Sequence, residues 1–286
     1  MNIHLTPDEL RIIEHKETEP PFSGEYYDCD DNGVYACRRC STPLYRSMDK
    51  FDGGCGWPSF DADIPLAVKS VPDADGCRME IVCQHCEAHL GHVFYGENKT
   101  PKNTRHCVNS LSMHFIPFGC LLQQAVSGHS TVDIILVAAG CFWGVEYFFE
   151  LAEGVLATAC GYTGGTKKHP TYLQVCKGTT GHAEAVAIIF DKNKTDLSRL
   201  LDVFFDIHNP KEKNRQGPDV GTQYRSALFP INTTQRQVFQ QYLDRMPTIA
   251  TTIESYTTFW VAEEGHQHYF RLRNQQPTCH YRRSSL

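Results

Sequence analysis

Apolar positions follow two regimes along the 286 residues of this chain. Thr6-Pro7-Asp8-Glu9 reads as a helix start, with Thr6 as N-cap, Pro7 in the first turn and Glu9 closing a capping box. Leu10, Ile12 and Ile13 supply its apolar contacts. Beyond Pro20-Pro21, short runs rich in Tyr, Val and Ile are broken by Gly, Pro and Asp as far as about Phe118, a pattern that predicts mostly antiparallel strands. Positions 116–131 hold Pro117, Gly119, Gly128 and Ser130 and predict a linker, with Leu121, Leu122 and Val126 available for packing. Residues 132–137 form a run that is apolar but for Asp133, the mark of a buried strand. That run leads through Ala138-Ala139-Gly140 to Cys141 and a helical pattern of Phe142, Val145, Phe148 and Phe149. A second buried strand is expected at 186–190, with helices at 197–205, 234–245 and 263–273 before a polar tail. No internal repeat is visible. The division expected is a domain at 1–118, a linker at 119–131 and a domain at 132–286.

Charge changes this picture little. The net charge is −6 with pI near 6.1, which leaves no electrostatic footprint for nucleic acid. No run approaches the roughly 18–20 apolar residues of a membrane span, and MNIHLTPDEL lacks the basic-then-apolar pattern of a secretory signal. A reducing, cytoplasmic setting is expected. Thirteen cysteines in such a setting read as metal ligands plus catalytic thiols.

Cys37-Arg38-Arg39-Cys40 and Cys83-Gln84-His85-Cys86 are two C-x-x-C pairs. Each turn can point two thiolates at one tetrahedral ion, and two turns close a four-sulfur site with no open position, so zinc here would be structural. Four reduced thiols in turns, or a ligand set that includes His89 or His92, are the alternatives.

Two further cysteines carry a different signal. Cys107 lies in Arg105-His106-Cys107-Val108-Asn109-Ser110, and Cys141 in Gly140-Cys141-Phe142-Trp143-Gly144. Each half also holds a partner cysteine, Cys55 in Gly54-Cys55-Gly56-Trp57-Pro58 and Cys279 in Pro277-Thr278-Cys279-His280. A thiol paired with a second thiol can donate two electrons and end as a disulfide. Arg105 and His106 flank Cys107 and can lower a thiol pKa, although strand alternation can point one of them away. Cys141 should sit at a helix N-terminus, where free N–H groups favour the thiolate. Glu184, in Gly181-His182-Ala183-Glu184-Ala185-Val186, falls in a strand with apolar residues on both faces. Desolvation should keep it protonated, as a general acid requires; a buried salt bridge is the competing reading. Cys29, Cys77, Cys120, Cys160 and Cys176 lack such context and read as packing or surface residues.

With these strings in place, residues 5–118 resemble methionine sulfoxide reductase B: the C-x-x-C pairs, C-G-W-P-S-F, H-L-G-H-V-F and R-H-C-V-N-S come in that family's order. The resemblance implies Cys107 as nucleophile and Cys55 as resolving thiol, with His89, His92 and Asn109 around the sulfoxide oxygen and Trp57 against the substrate methyl. His106 stands where the family often has an aromatic residue. Residues 133–281 resemble methionine sulfoxide reductase A through G-C-F-W-G, G-Y-T-G-G, P-T-Y, G-H-A-E-A-V and D-V-G-T-Q-Y-R-S. That resemblance implies Cys141 as nucleophile, Glu184 as proton donor, and Tyr172, Tyr224 and Asp219 as groups orienting the oxygen. It also implies Phe142 and Trp143 around the methyl and Cys279 as resolving thiol. The fold class expected is a mainly-β N-terminal domain of antiparallel sheets with bound zinc, followed by an α+β two-layer sandwich.

Methionine sulfoxide is chiral at sulfur, and one rigid set of donors cannot serve both epimers. The resemblance assigns the R epimer to the first half and the S epimer to the second. The implied disulfides are Cys55–Cys107 and Cys141–Cys279, recycled by a dithiol such as thioredoxin. Methionine sulfoxide, free or in oxidised proteins, is the expected substrate and a monomer the expected state. With no G-x-G-x-x-G after a strand and no P-loop, neither nucleotide nor flavin is expected. Two competitors remain: a zinc-ribbon binding module fused to a redox sensor, which requires a basic face, for which Arg38, Arg39 and Arg46 are available, or an aromatic stacking platform near the zinc pairs, and a fusion with one silent half.

Overall fold

Thr6 caps the first helix as its side chain predicts. In the computed structural model, which describes residues 4–127, 131–246 and 248–283, the Glu9 N–H donates to Thr6 Oγ1 at 3.2 Å and the Thr6 N–H to Glu9 Oε2 at 2.7 Å. The resulting helix, α1 (Pro7–Ile13), buries Ile12 and Ile13. The chain divides into two units between Cys120 and Leu121.

Nine strands follow α1 in the first unit: β1 (Gly33–Cys37), β2 (Pro43–Arg46), β3 (Lys50–Phe51), β4 (Ser59–Phe60), β5 (Val68–Pro72), β6 (Met79–Cys83), β7 (His89–Tyr95), β8 (Thr104–Val108) and β9 (Met113–Pro117). They form a sheet of order β2-β1-β9 and a larger one of order β3-β4-β8-β7-β6-β5. All pairings are antiparallel, as the alternating pattern predicts. Tyr45 stacks on Phe60 with ring centroids 4.3 Å apart, and Tyr35 packs edge-on against Phe60 at 5.1 Å. The register sets Cys107 of β8 opposite His92 of β7 on one side and Ser59 of β4 on the other.

The predicted linker is in large part a helix, α2 (Phe118–Ser127). Phe118, Leu121 and Ala125 are buried, and their spacing of three and four is the helical stripe that the flanking glycines obscured. Gly128 and Ser130, also assigned to the linker, lie outside the described residues.

In the second unit β10 (Val132–Ala139) leads into α3 (Phe142–Glu150), followed by β11 (Val155–Thr163), α4 (Tyr172–Cys176), β12 (Ala183–Asp191) and α5 (Leu197–Ile207). Short strands β13 (Arg215–Gln216), β14 (Asp219–Val220) and β15 (Ser226–Leu228), then α6 (Thr233–Asp244), β16 (Thr252–Ile253), β17 (Trp260–Val261) and α7 (Tyr269–Leu272), complete it. The main sheet has the order β16-β15-β10-β12-β11-β17 and is antiparallel except between β15 and β16. The unit is α+β. Ile135, Val137, Val186, Ile188 and Phe190 of the sheet share a core with Phe142, Val145 and Phe149 of α3, Leu200 and Phe204 of α5, and Phe239 of α6.

The helix expected at 263–273 is broken. A 3-10 turn (Glu264–His266) and the short α7 flank His268, which adopts a left-handed φ of 50°. Buried polar groups of α3 capture this residue: its N–H donates to Glu146 Oε2 at 2.6 Å, and its Nδ1 lies 2.6 Å from Glu150 Oε1. Gln267 meanwhile takes both backbone groups of Cys160, at 2.8 and 3.0 Å. These contacts override helical propensity.

Two thiol sites and a four-cysteine cluster

The first site is built on the centre of the larger N-terminal sheet. Alternation along β8 separates Arg105 and His106, as a strand must. His106 turns to the opposite face, where its Nδ1 lies 3.1 Å from Tyr45 Oη and burial lowers its pKa to about 4. Arg105 shares the Cys107 face and donates from Nη1 to Cys55 Sγ at 3.3 Å. It is fixed by a two-pronged ion pair with Glu97 at 2.6 and 2.9 Å and lies over the Phe94 ring at 4.4 Å.

Cys55 Sγ and Cys107 Sγ are 3.6 Å apart. The hydrogen bond from Cys107, aided by Ser59 and Arg105, lowers the Cys55 thiol to about 5 against the opposing effect of burial. The same hydrogen bond, together with burial, pushes Cys107 up. The two sulfurs share one hydrogen bond, and Arg105 favours the thiolate on either of them. A cavity of about 100 Å³ is lined by Trp57, His92, Phe94, Cys107 and Asn109 among others, and Cys55 is not part of its wall.

His89 and His92 are three residues apart, which in a regular strand puts side chains on opposite faces. A bulge resolves this. Ile81 pairs with Gly91 while Val82 pairs with His89, so Leu90 is the extra residue, and the two imidazoles come to 5.8 Å. Gly91 is required here at φ 152°, because a Cβ would run into the Cys107 carbonyl. His89 Nδ1 lies 2.7 Å from Glu80 Oε1, and its buried Nε2 has no protein partner. His92 Nε2 lies 2.7 Å from Asp73 Oδ2, which also meets Arg78 at 3.1 Å.

The second site surrounds the start of α3. Cys141 is its N-cap residue. The Phe142 N–H, one of the free donors of the helix start, is taken by Glu184 Oε2 at 3.1 Å. Glu184 Oε1 is buried without a partner, and desolvation raises this carboxyl to about 8. A protonated acid with one unused oxygen is the state expected from the apolar strand around it.

Cys141, Asp219 and Cys279 bring their ligand atoms within 4.8 Å of one another. The hydrogen bond to Cys279, burial and the Glu184 charge push the Cys141 thiol up. The N–H of Trp143 favours its thiolate, the helix-terminus effect expected from the sequence, against these larger opposing causes. Cys279 is lowered to about 4 by the bond from Cys141 and by His280.

Phe142 and Trp143 stack near Tyr172 at 6.2 and 6.5 Å. Burial raises the pKa of Tyr172 and Tyr224, with the Glu184 charge adding to it, so both hydroxyls remain donors. An open cavity of about 600 Å³ is lined by Cys141, Trp143, Asp219, Tyr269 and Cys279 among others.

The sulfurs of Cys37, Cys40, Cys83 and Cys86 form a third group, all within 4.8 Å of one another. Cys37 and Cys86 are 3.6 Å apart, as are Cys40 and Cys83. His89 and His92 are held elsewhere by their carboxylates, which removes them from this set.

A family profile for peptide methionine sulfoxide reductase matches residues 133–286, and a profile for the SelR domain matches residues 5–117. The chain belongs to the peptide methionine sulfoxide reductases. It is similar to the reductase MsrA of Enterobacter sp. (strain 638), 42% identical over 179 residues, 59% of this chain and 78% of that protein. It is also similar to peptide methionine sulfoxide reductase B2, chloroplastic, of Arabidopsis thaliana, 53% identical over 114 residues, 40% of this chain and 56% of that protein. Among solved structures, Mxr1 from Saccharomyces cerevisiae in reduced form is similar at 34% identity with a TM-score of 0.49, covering 54% of this chain and 93% of that one. The reductase therefore joins two activities: its N-terminal half acts on methionine R-sulfoxide and its C-terminal half on the S epimer.

The competing reading of a nucleic-acid-type zinc ribbon fails on charge as well. Arg38 pairs with Glu9 at 2.6 Å, Arg39 with Glu14 at 3.1 Å and Arg46 with Asp49 at 2.6 Å. No described helix of the reductase is long and apolar enough to cross a membrane.

Several residues that shape the sites left no signal in the sequence. Glu19 accepts from the Ser110 and Leu111 N–H groups at 2.6 and 3.2 Å, and its carbonyl accepts from Trp57 Nε1 at 3.0 Å. It lies some ninety residues from Ser110 in a polar stretch without pattern. Tyr269 stacks on Trp143 at 3.7 Å. Cys176, four residues after Tyr172 and thus on the same face of α4, hydrogen-bonds with it rather than serving as packing alone. Cys160 is a core thiol, 3.3 Å from Glu146 Oε2.

Proposed function

We propose that each half reduces its epimer through attack of one sulfur of its thiol pair, followed by disulfide formation with the other. The observation that carries this reading is the pairing of two thiols at each site, with Cys107 in the wall of a cavity that Cys55 does not reach. In the N-terminal half Cys107 attacks the sulfoxide sulfur and passes its proton along the S–H···S bond to Cys55. His89, His92 and Asn109 face the oxygen, and Trp57 covers the methyl. Glu80 and Asp73 fix the two imidazoles, which sets their ring orientation.

In the C-terminal half Cys141 attacks, its proton passes to Cys279, and Glu184 donates to the oxygen. Tyr172, Tyr224 and Asp219 orient that oxygen, while Phe142 and Trp143 hold the methyl. Methionine departs and a sulfenic acid remains on the attacking cysteine. The partner thiol displaces hydroxide, giving Cys55–Cys107 or Cys141–Cys279 and water. A dithiol of the thioredoxin type then restores both thiols by exchange.

Treatment of the reduced chain with each epimer in the absence of reductant should yield one equivalent of methionine and one new disulfide. Peptide mass mapping should place it at Cys55–Cys107 for the R epimer and at Cys141–Cys279 for the S epimer. Any other pairing would sink the assignment of resolving thiols.

We further propose that Cys37, Cys40, Cys83 and Cys86 hold one zinc ion. A tetrahedral zinc with Zn–S bonds of about 2.3 Å requires sulfur–sulfur edges of about 3.8 Å, close to the 3.6 Å observed. When bound, the ion supplies charge compensation for buried thiolates and leaves no position for chemistry. The cysteines themselves tie the β1–β2 turn to the β6–β7 turn. Structural zinc contributes on the order of 10 kcal/mol or more, comparable to the whole stability of a domain. Cys83→Ser should therefore abolish zinc binding by elemental analysis and R-sulfoxide reduction together, while S-sulfoxide reduction persists. Full R activity in a zinc-free variant would contradict this.

A further inference from the structure

His280 occupies a slot cut into the start of α3. A Cβ on Gly144 would meet the His280 ring, with Cγ 2.9 Å away, and one on Gly140 would come within 3.3 Å of Nε2. The ring is buried, and its Nε2 lies 2.7 Å from the Ala139 carbonyl oxygen. That oxygen can only accept, so Nε2 carries a hydrogen. In the neutral ring Nδ1 is then bare, and it lies 3.1 Å from Cys279 Sγ. The glycines of the G-C-F-W-G string thus make room for an imidazole that touches the partner thiol.

We propose that His280 is the general base of the resolving step in the C-terminal half, taking the Cys279 proton as this sulfur attacks the sulfenic acid on Cys141. This rests on the reading of Cys279 as resolving thiol. The S–S bond forms as the S–O bond breaks, and the hydroxide leaves with the S–O electron pair. The proton held on Nδ1 passes to that hydroxide, so water departs and His280 ends neutral. No external oxidant or reductant enters the step.

The need for a base follows from the preceding attack, which leaves Cys279 carrying the proton received from Cys141 and removes the Cys141 hydrogen bond, the first cause of its lowered pKa. The surroundings are consistent with transient charge on the ring. Asp219 of β14 and Cys279 itself are the acidic groups that face it. His208, at the end of α5, is the basic neighbour and is itself held neutral, lowered to about 3 by burial. Cys141 and Glu184 complete the titratable set around Cys279. The N-terminal half uses a different device: Arg105 contacts Cys55, and a guanidinium stabilises a thiolate but cannot accept a proton.

The test uses the full chain with Cys107→Ser, reduced, mixed with S-sulfoxide without reductant, and quenched at intervals between about pH 6 and 9. Methionine, dimedone-trapped sulfenic acid and the Cys141–Cys279 peptide are quantified for His280, His280→Ala and His280→Gln. Glutamine retains a donor toward the Ala139 carbonyl but cannot take a proton. Both variants should release one equivalent of methionine, which also establishes that the site is folded. Disulfide formation should slow by about 100-fold or more, and trapped sulfenic acid should accumulate. The residual rate should climb with pH toward the ordinary thiol range near about 8.5. A wild-type rate and pH profile in His280→Gln would overturn the proposal and assign the ring a purely positioning role. Cys279→Ser serves as the control: if a Cys141 disulfide still forms at the wild-type rate, the reading of Cys279 falls, and the proposal with it.

Discussion

Replacing Glu184 with glutamine should lower kcat/KM for methionine S-sulfoxide by about 10²–10⁴-fold, the range of a lost general acid, and leave R-sulfoxide reduction untouched. Glutamine keeps an oxygen for the Phe142 N–H, which Glu184 now accepts at 3.1 Å, so the start of α3 should hold. What disappears is the proton on the unpartnered oxygen. The pH dependence gives a second readout. Burial raises the carboxyl to about 8, so the acid is protonated below that pH and ionised above it. S-sulfoxide reduction in the wild type should therefore be full below about pH 8 and decline as pH rises through it. The variant should lack that declining limb. An unchanged limb in Glu184→Gln would show that another group supplies the proton.

The chemistry of this chain was more legible than its geometry. Glu184 could be assigned a raised pKa because residues 183–190 are apolar on both faces, and burial of a carboxylate has one physical outcome. The cap at Thr6 and the buried strand β10 followed equally directly from local pattern. Facts that depend on contacts across the fold did not. His89 and His92 share a site only because Leu90 forms a bulge, which no periodicity announces. Strand β11 was missed because Val155–Thr163 is built largely of small residues without alternation, although every residue in it is buried. The helix expected at 263–273 gave way to the buried contacts of His268 with Glu146 and Glu150. Sequence places Arg105 beside Cys107, whose thiolate it favours, and the fold adds its contact with Cys55.

Cys107→Ser should abolish reduction of the R epimer, and Cys141→Ser that of the S epimer, each by ~10⁴-fold or more, as for a lost nucleophile. A serine hydroxyl neither ionises near neutrality nor forms a sulfenic acid, so no slower version of the same chemistry remains. Each substitution should also spare the other epimer. The two sites share no residue: Cys107 is surrounded by Trp57, His92 and Asn109, whereas Cys141 is surrounded by Trp143, Asp219 and Cys279. Inversion at the substrate sulfur moves the oxygen relative to methyl and chain, so neither set of donors can take over for the other.

The central claim is tested most directly by thioredoxin-coupled turnover of the separate R and S epimers of a blocked methionine sulfoxide, with wild type, Cys107→Ser and Cys141→Ser. The account predicts that wild type reduces both epimers and that each variant loses one and keeps the other at the wild-type rate. Loss of both activities in either variant would contradict two independent thiol sites.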